Sequence, residues 1–74
     1  MNPYYPFLNY VFNYGECTKF YLEHFNQGKF RDQVDECVKR NFIAVIGKNE
    51  KGDDLYAITE LGKRIVDNPR EEIV

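Results

Sequence analysis

Tyr56-Ala57-Ile58-Thr59-Glu60-Leu61-Gly62 decides how this chain is read. Leu55 to Ile58 is rich in residues that suit a pleated strand, and it puts Tyr56 and Ile58 on one face, assigned to the core. Thr59 is placed to cap a helix, and Glu60 complements the positive end of its dipole. Leu61, Ile65 and Val66 then point inward along that helix, until Asn68-Pro69 stops it. Upstream, Ile43-Ala44-Val45-Ile46 is a second β-branched run. The polar segment Lys48 to Asp54, with Gly52 at its tip, joins the two runs. The stretch therefore reads as a two-stranded ribbon whose second strand runs directly into a helix.

Three helices are expected before the ribbon. The first covers about Pro6 to Asn13: proline suits a first turn, and Leu8, Val11 and Phe12 form one apolar stripe. Gly15 fits the left-handed position that ends many helices. The second runs from about Thr18, its cap, to Phe25, with Lys19 and Glu23 four apart in solvent and Gly28 as the permissive turn residue after it. The third runs from about Lys29 to Arg40 and buries Phe30, Val34, Cys37 and Val38. Residues 1–5, with Pro3 and Pro6, read as an extended lead-in, and residues 69–74 as a loose tail.

Composition bounds the function. A 74-residue chain is expected to be one domain, and such a chain buries only about 60% of its unfolded surface. Hydrophobic residues make up 43% and aromatic ones 16%, enough for a globular core. Twelve acidic and 10 basic residues give a net charge of −2, without the strong basic excess common in nucleic-acid domains. The apolar run Phe7 to Phe12 is far short of the roughly 20 residues needed to span a bilayer, and no leader pattern is visible, so a cytoplasmic protein with no membrane contact is expected. Cys17 and Cys37 are expected as reduced, buried thiols. His24 stands alone and there is no CxxC, so no metal site and no cofactor are expected. No nucleophile–base pair and no phosphate loop point to catalysis or to a small-molecule ligand, and an enzyme is not expected.

Tyr56-x-Ile58-Thr59-x-x-Gly62, with the Asn41-Phe42-Ile43 exit from the third helix, resembles winged helix-turn-helix proteins of the MarR-like and PadR-like kind. In those proteins a Tyr-x-Leu-Thr-x-x-Gly signature marks the second wing strand entering the next helix, and a Gly-Leu-Ile-like triplet leads into the first wing strand. Asn41 stands where that family often has glycine, and asparagine tolerates the left-handed conformation. The resemblance covers about residues 6–67 and implies an α+β winged-helix domain of three helices, a two-stranded wing hairpin and a C-terminal helix. It also implies a transcriptional regulator that binds double-stranded DNA.

In such a domain the third helix enters the major groove and the wing touches the backbone. Lys29, Arg31, Gln33, Lys39 and Lys51 are then the candidate DNA contacts. The outer face of the third helix, however, carries Asp32, Asp35 and Glu36 beside Lys39, an acidic balance that opposes phosphate. The wing is mixed too, with Lys48 and Lys51 against Glu50, Asp53 and Asp54. A second reading stays open: a winged helix repurposed as a protein-interaction module, such as an adaptor or inhibitor from a phage or mobile element. Half of the chain's twelve aromatics, Tyr4, Tyr5, Phe7, Tyr10, Phe12 and Tyr14, fall in its first fourteen residues. Tyr4, Tyr5, Phe7 and Tyr10 are the candidate interface to a second copy or another protein. Filling of a small core, or base stacking on tyrosine, would explain the same residues.

Overall fold

A computed structural model describes residues 2–70; Met1 of the lead-in and residues 71–74 of the expected tail lie outside the described residues. The elements run α1 (Tyr5–Tyr14), β1 (Cys17–Thr18), α2 (Lys19–His24), a 3-10 segment (Phe25–Gly28), α3 (Arg31–Lys39), β2 (Ile43–Lys48), β3 (Asp54–Ile58) and α4 (Glu60–Asp67). The described residues thus form a mixed α+β fold with four helices and one antiparallel sheet of three strands, ordered β1-β3-β2.

The expected two-stranded ribbon is part of that sheet. Ile43 pairs with Ile58, Ala44 with Ala57 and Val45 with Tyr56; the register then shifts, so that Gly47 faces Leu55. The third strand, β1, was not foreseen. It pairs Cys17 with Tyr56 and Thr18 with Leu55, and two residues are too few to show a period in sequence. Successive strand residues point to opposite faces, so Cys17, Tyr56 and Val45 form one cross-strand row. Tyr56 and Ile58 pack against the core on that side.

The core comprises Phe7, Leu8, Val11, Cys17, Leu22, Phe30, Val34, Cys37, Phe42, Ile43 and Ile65, all buried. It corrects the stripe expected on α1: Phe7 joins Leu8 and Val11 inside, while Phe12 is 45% exposed. On α3, Val34 and Cys37 are buried but Val38 is largely outside. Both cysteines are free and buried.

Two junctions fix the ribbon on this core. At the end of α3, Asn41 takes φ 63°. Its N–H donates to the Val38 carbonyl at 3.0 Å, and the Phe42 N–H donates to the Cys37 carbonyl at 2.8 Å. That pair of bonds is a Schellman closure, which needs a left-handed residue where Asn41 sits. At the start of α4, the Thr59 hydroxyl accepts from the Gly62 N–H at 3.1 Å. Its own proton lies within reach of the Asn41 carbonyl at 2.6 Å and the Phe42 carbonyl at 3.1 Å. The Thr59 N–H also donates to the Phe42 carbonyl, at 3.0 Å. One threonine therefore caps α4 and ties it to the exit of α3. Gly62 is buried against the same place: a Cβ there would run into the Phe42 carbonyl oxygen and come within 2.6 Å of Ile58 Cγ1.

The expected lead-in is not extended. Asn2 is buried, its side-chain Oδ1 accepts from the Tyr4 N–H at 2.9 Å, and its own N–H donates to the Pro69 carbonyl. A turn at Pro3-Tyr4 then feeds α1 at Tyr5. Pro69, placed in the loose tail by sequence, is one side of that clasp. Gly15 ends α1 at φ 100° and ψ −130°, a glycine conformation other than the left-handed helical one expected.

Candidate nucleic-acid interface

Helix α3 starts at Arg31 rather than Lys29. Asn26, Gln27 and Gly28 all have positive φ (51°, 60° and 78°), which reverses the chain between α2 and α3 and delays the helix. Thr18 caps α2 as expected, accepting from the Tyr21 N–H at 3.2 Å. With Val34 and Cys37 buried, and Phe30 buried just before the helix, the opposite side of α3 faces outward.

Lys29, Arg31, Asp32, Asp35 and Lys39 are exposed along that face. The charges do not act as the bare sequence implies. Lys19 of α2 does not serve Glu23; its Nζ lies 3.0 Å from Asp35 Oδ1 on α3, and this bond raises the Lys19 pKa. Arg40 Nε lies 2.7 Å from Glu36 Oε1, one turn back, and that bond raises the Arg40 pKa. Two of the three acids on the face are thus matched by cations. Among the described residues, Lys29, Arg31 and Lys39 have no acidic partner, and Asp32 has no basic one. The Lys29 ammonium sits 5.5 Å from the centre of the Phe30 ring. The acidic row expected on this face is therefore offset by its surroundings: with Lys19, Lys29, Arg31 and Arg40 counted beside Lys39, five cations stand around the three acids.

Gln33 is placed otherwise than a DNA contact requires. It is half-buried, its Nε2 donates to the Pro3 carbonyl at 3.4 Å, and its Oε1 is buried without a hydrogen-bond partner among the described residues. The amide is turned toward the N-terminal segment. Lys51 is exposed in the β2–β3 turn, which Asn49 closes by accepting from the Lys51 and Asp53 N–H groups, both at 2.9 Å. The other ribbon lysine, Lys48, is held 2.7 Å from Asp54. Lys51 lines an open cleft of about 510 Å³ with Glu50, Asp53, Thr18 and Phe20, so its near neighbour is the start of α2.

No protein-family model, curated protein or solved structure matches this chain.

The N-terminal aromatics divide in two. Phe7 is fully buried, its ring 5.7 Å from Phe30, and offers no surface to a partner. Tyr4 packs on Phe42 at 5.6 Å beneath the Arg40 guanidinium, and Tyr5 also leans on the core. Tyr10 stacks on Phe25, and its hydroxyl donates to that of Tyr21. Burial and then the Tyr21 contact push the Tyr10 pKa up. The aromatic surface that remains lies elsewhere: Phe12, Tyr14, Phe20 and Tyr21 on α1 and α2, with Phe20 71% exposed. Tyr14 stacks on Tyr21 at 4.7 Å, and Phe20 on His24 at 4.1 Å. The signal for this patch is the buried line Phe7–Leu8–Val11, which places Phe12 and Tyr14 outside.

Among the described residues no three His, Cys, Asp or Glu side chains are grouped to hold a metal ion, and no helix is long and apolar enough to cross a membrane. Burial pushes the Cys17 thiol up to about 11 and the Cys37 thiol up to about 12, away from nucleophilic thiolate.

Proposed function

We propose that this chain is a winged-helix domain that binds double-stranded DNA and acts in the cytoplasm as a small transcriptional regulator. The observation that carries this reading is the set of cations on and around the outer face of α3. Asp35 and Glu36 are held by Lys19 and Arg40, which leaves Lys29, Arg31 and Lys39 to meet phosphates. The order of elements, two helices, a third helix, a ribbon and a closing helix, is that of the resemblance, and β1 extends the ribbon into a sheet. Lys51 in the ribbon turn is the further phosphate contact. Anisotropy titration of a labelled random duplex at low and moderate salt tests the reading. Binding at low salt that weakens steeply with salt supports it; absence of binding at low salt ends it. Each lysine lost is expected to flatten the salt slope by about one unit.

A second reading rests on a separate observation. The stacked, exposed rings of Tyr14 and Tyr21 are aromatic surface of the kind that marks protein contacts. In that reading the domain is a protein-interaction module, and a second copy of the chain is one partner. Light scattering of the wild type and of a Tyr14→Ala/Tyr21→Ala variant tests self-association. A dimer that the variant disrupts favours this surface; a monomeric wild type at micromolar concentration removes the homodimer.

A further inference from the structure

Within the DNA-binding reading, on which this inference rests, we infer that Asp32 is the specificity-determining residue of α3, its carboxylate accepting from the N4 amino group of a cytosine in the major groove. The buried residues Phe30, Val34 and Cys37 define the inward side of the helix. At about 100° per residue, the line opposite them runs through Asp32 and Lys39, two turns apart. Asp32 therefore stands at the centre of the outward face, in the first turn, where a recognition helix places its base contacts.

Its surroundings leave it without a basic partner among the described residues. The residues three and four positions on are Asp35 and Glu36, which are themselves acids and are engaged by Lys19 and Arg40. Lys29, three positions back, lies over the Phe30 ring. Arg31 and Lys39 flank Asp32 on the same exposed face and supply attraction to phosphates on either side of it. A lone carboxylate at the centre of a DNA-facing surface weakens binding wherever it meets an acceptor. Guanine presents N7 and O6 there, and thymine presents O4 and a methyl group. Adenine presents an N6 donor with the N7 acceptor beside it, which repels a carboxylate; cytosine presents the N4 donor with no acceptor of its own beside it, and an aspartate matches that edge best. The same charge that opposes binding to most sequences thus favours one base at one position.

Selection of bound duplexes from a random pool, run with the wild type and Asp32→Asn, tests this. Anisotropy on the unselected pool at low salt is measured alongside. Because Asp32 is exposed, the variant is expected to melt with the wild type. The wild type should enrich a cytosine at one fixed position, and changing that cytosine should weaken binding roughly tenfold. Asp32→Asn should lose that enrichment and bind the unselected pool more tightly than the wild type. If both proteins bind the pool but Asp32→Asn leaves the selected sequence unchanged, the assignment of Asp32 is overturned while DNA binding stands. If neither binds the pool at low salt, the DNA-binding reading and the assignment fall together.

Discussion

Replacing Gly62 by alanine sets two effects of opposite sign against each other. Gly62 lies inside α4, and alanine in a helix interior is favoured over glycine by about 1 kcal/mol. On propensity alone the variant would be more stable. The structure puts the Phe42 carbonyl oxygen and Ile58 Cγ1 where the new methyl must go, the latter at 2.6 Å. Forcing a methyl into such a site costs about 1–3 kcal/mol, and the upper part of that range applies because one obstacle is backbone. The Phe42 carbonyl is also tied to the Thr59 N–H and lies within reach of its hydroxyl, so moving it strains the cap of α4. A net loss of about 2 kcal/mol is expected, or a fall in Tm of roughly 8–16 °C for a domain of this size. Thermal melts followed by circular dichroism, with urea midpoints beside them, measure it. Gly47→Ala is the control: nothing lies within 4 Å of a Cβ there, and the change should stay within about 0.5 kcal/mol. If Gly62→Ala melts at or above the wild type, α4 does not close on Phe42 as described, and the reason given for glycine at this position is refuted.

Other consequences can be checked by the same means. Thr59→Val keeps the volume and removes the cap and the tie to Asn41 and Phe42; a loss of about 1–3 kcal/mol in urea unfolding is expected. Leu22 is fully buried, so Leu22→Ala should cost about 2–5 kcal/mol by the same assay. Both thiols should react slowly with a thiol reagent at pH 8 until the protein is unfolded. Their pKa values are raised on folding, so the unfolded chain releases these protons first as pH rises. The associated stability should be intact below about pH 9 and lost as pH climbs through 11 and 12, seen as a falling urea midpoint. Asp35→Asn frees Lys19 and should tighten binding to random duplex at low salt.

The ribbon, the capped last helix and the turn at Asn41 were legible because each is set by local chemistry. Thr59 is a capping hydroxyl, Asn41 tolerates positive φ, and the β-branched run from Ile43 marks a strand. Strand β1 was not legible, since its two residues become a strand only by pairing with Leu55 and Tyr56. The buried role of Gly62 also depends on a contact twenty residues away in sequence. On the candidate site, the exposed positions of Arg31, Lys39 and Lys51 followed from periodicity and turn composition. The pairing of Lys19 with Asp35 did not, because the helix rule favoured Glu23 and only the packing of α2 on α3 brings Asp35 closer. That one pairing, with Arg40 on Glu36, changes the electrostatic reading of α3. The surroundings of Gln33 were hidden for a similar reason: on a helical wheel it flanks the outer face, and only the fold brings the Pro3 carbonyl to its amide.

Amide NMR mapping of the protein as a short duplex is added at low salt tests directly whether DNA sits on α3 and the ribbon turn. The perturbed amides should cluster at residues 29–39, on α3 and just before it, and at residues 49–53 in the ribbon turn. The effect should shrink as salt rises, with a binding slope of roughly −3 to −4 for contacts by Lys29, Arg31, Lys39 and Lys51. No perturbation, or one centred on Phe12, Tyr14 and Tyr21 instead, would contradict DNA binding by this face.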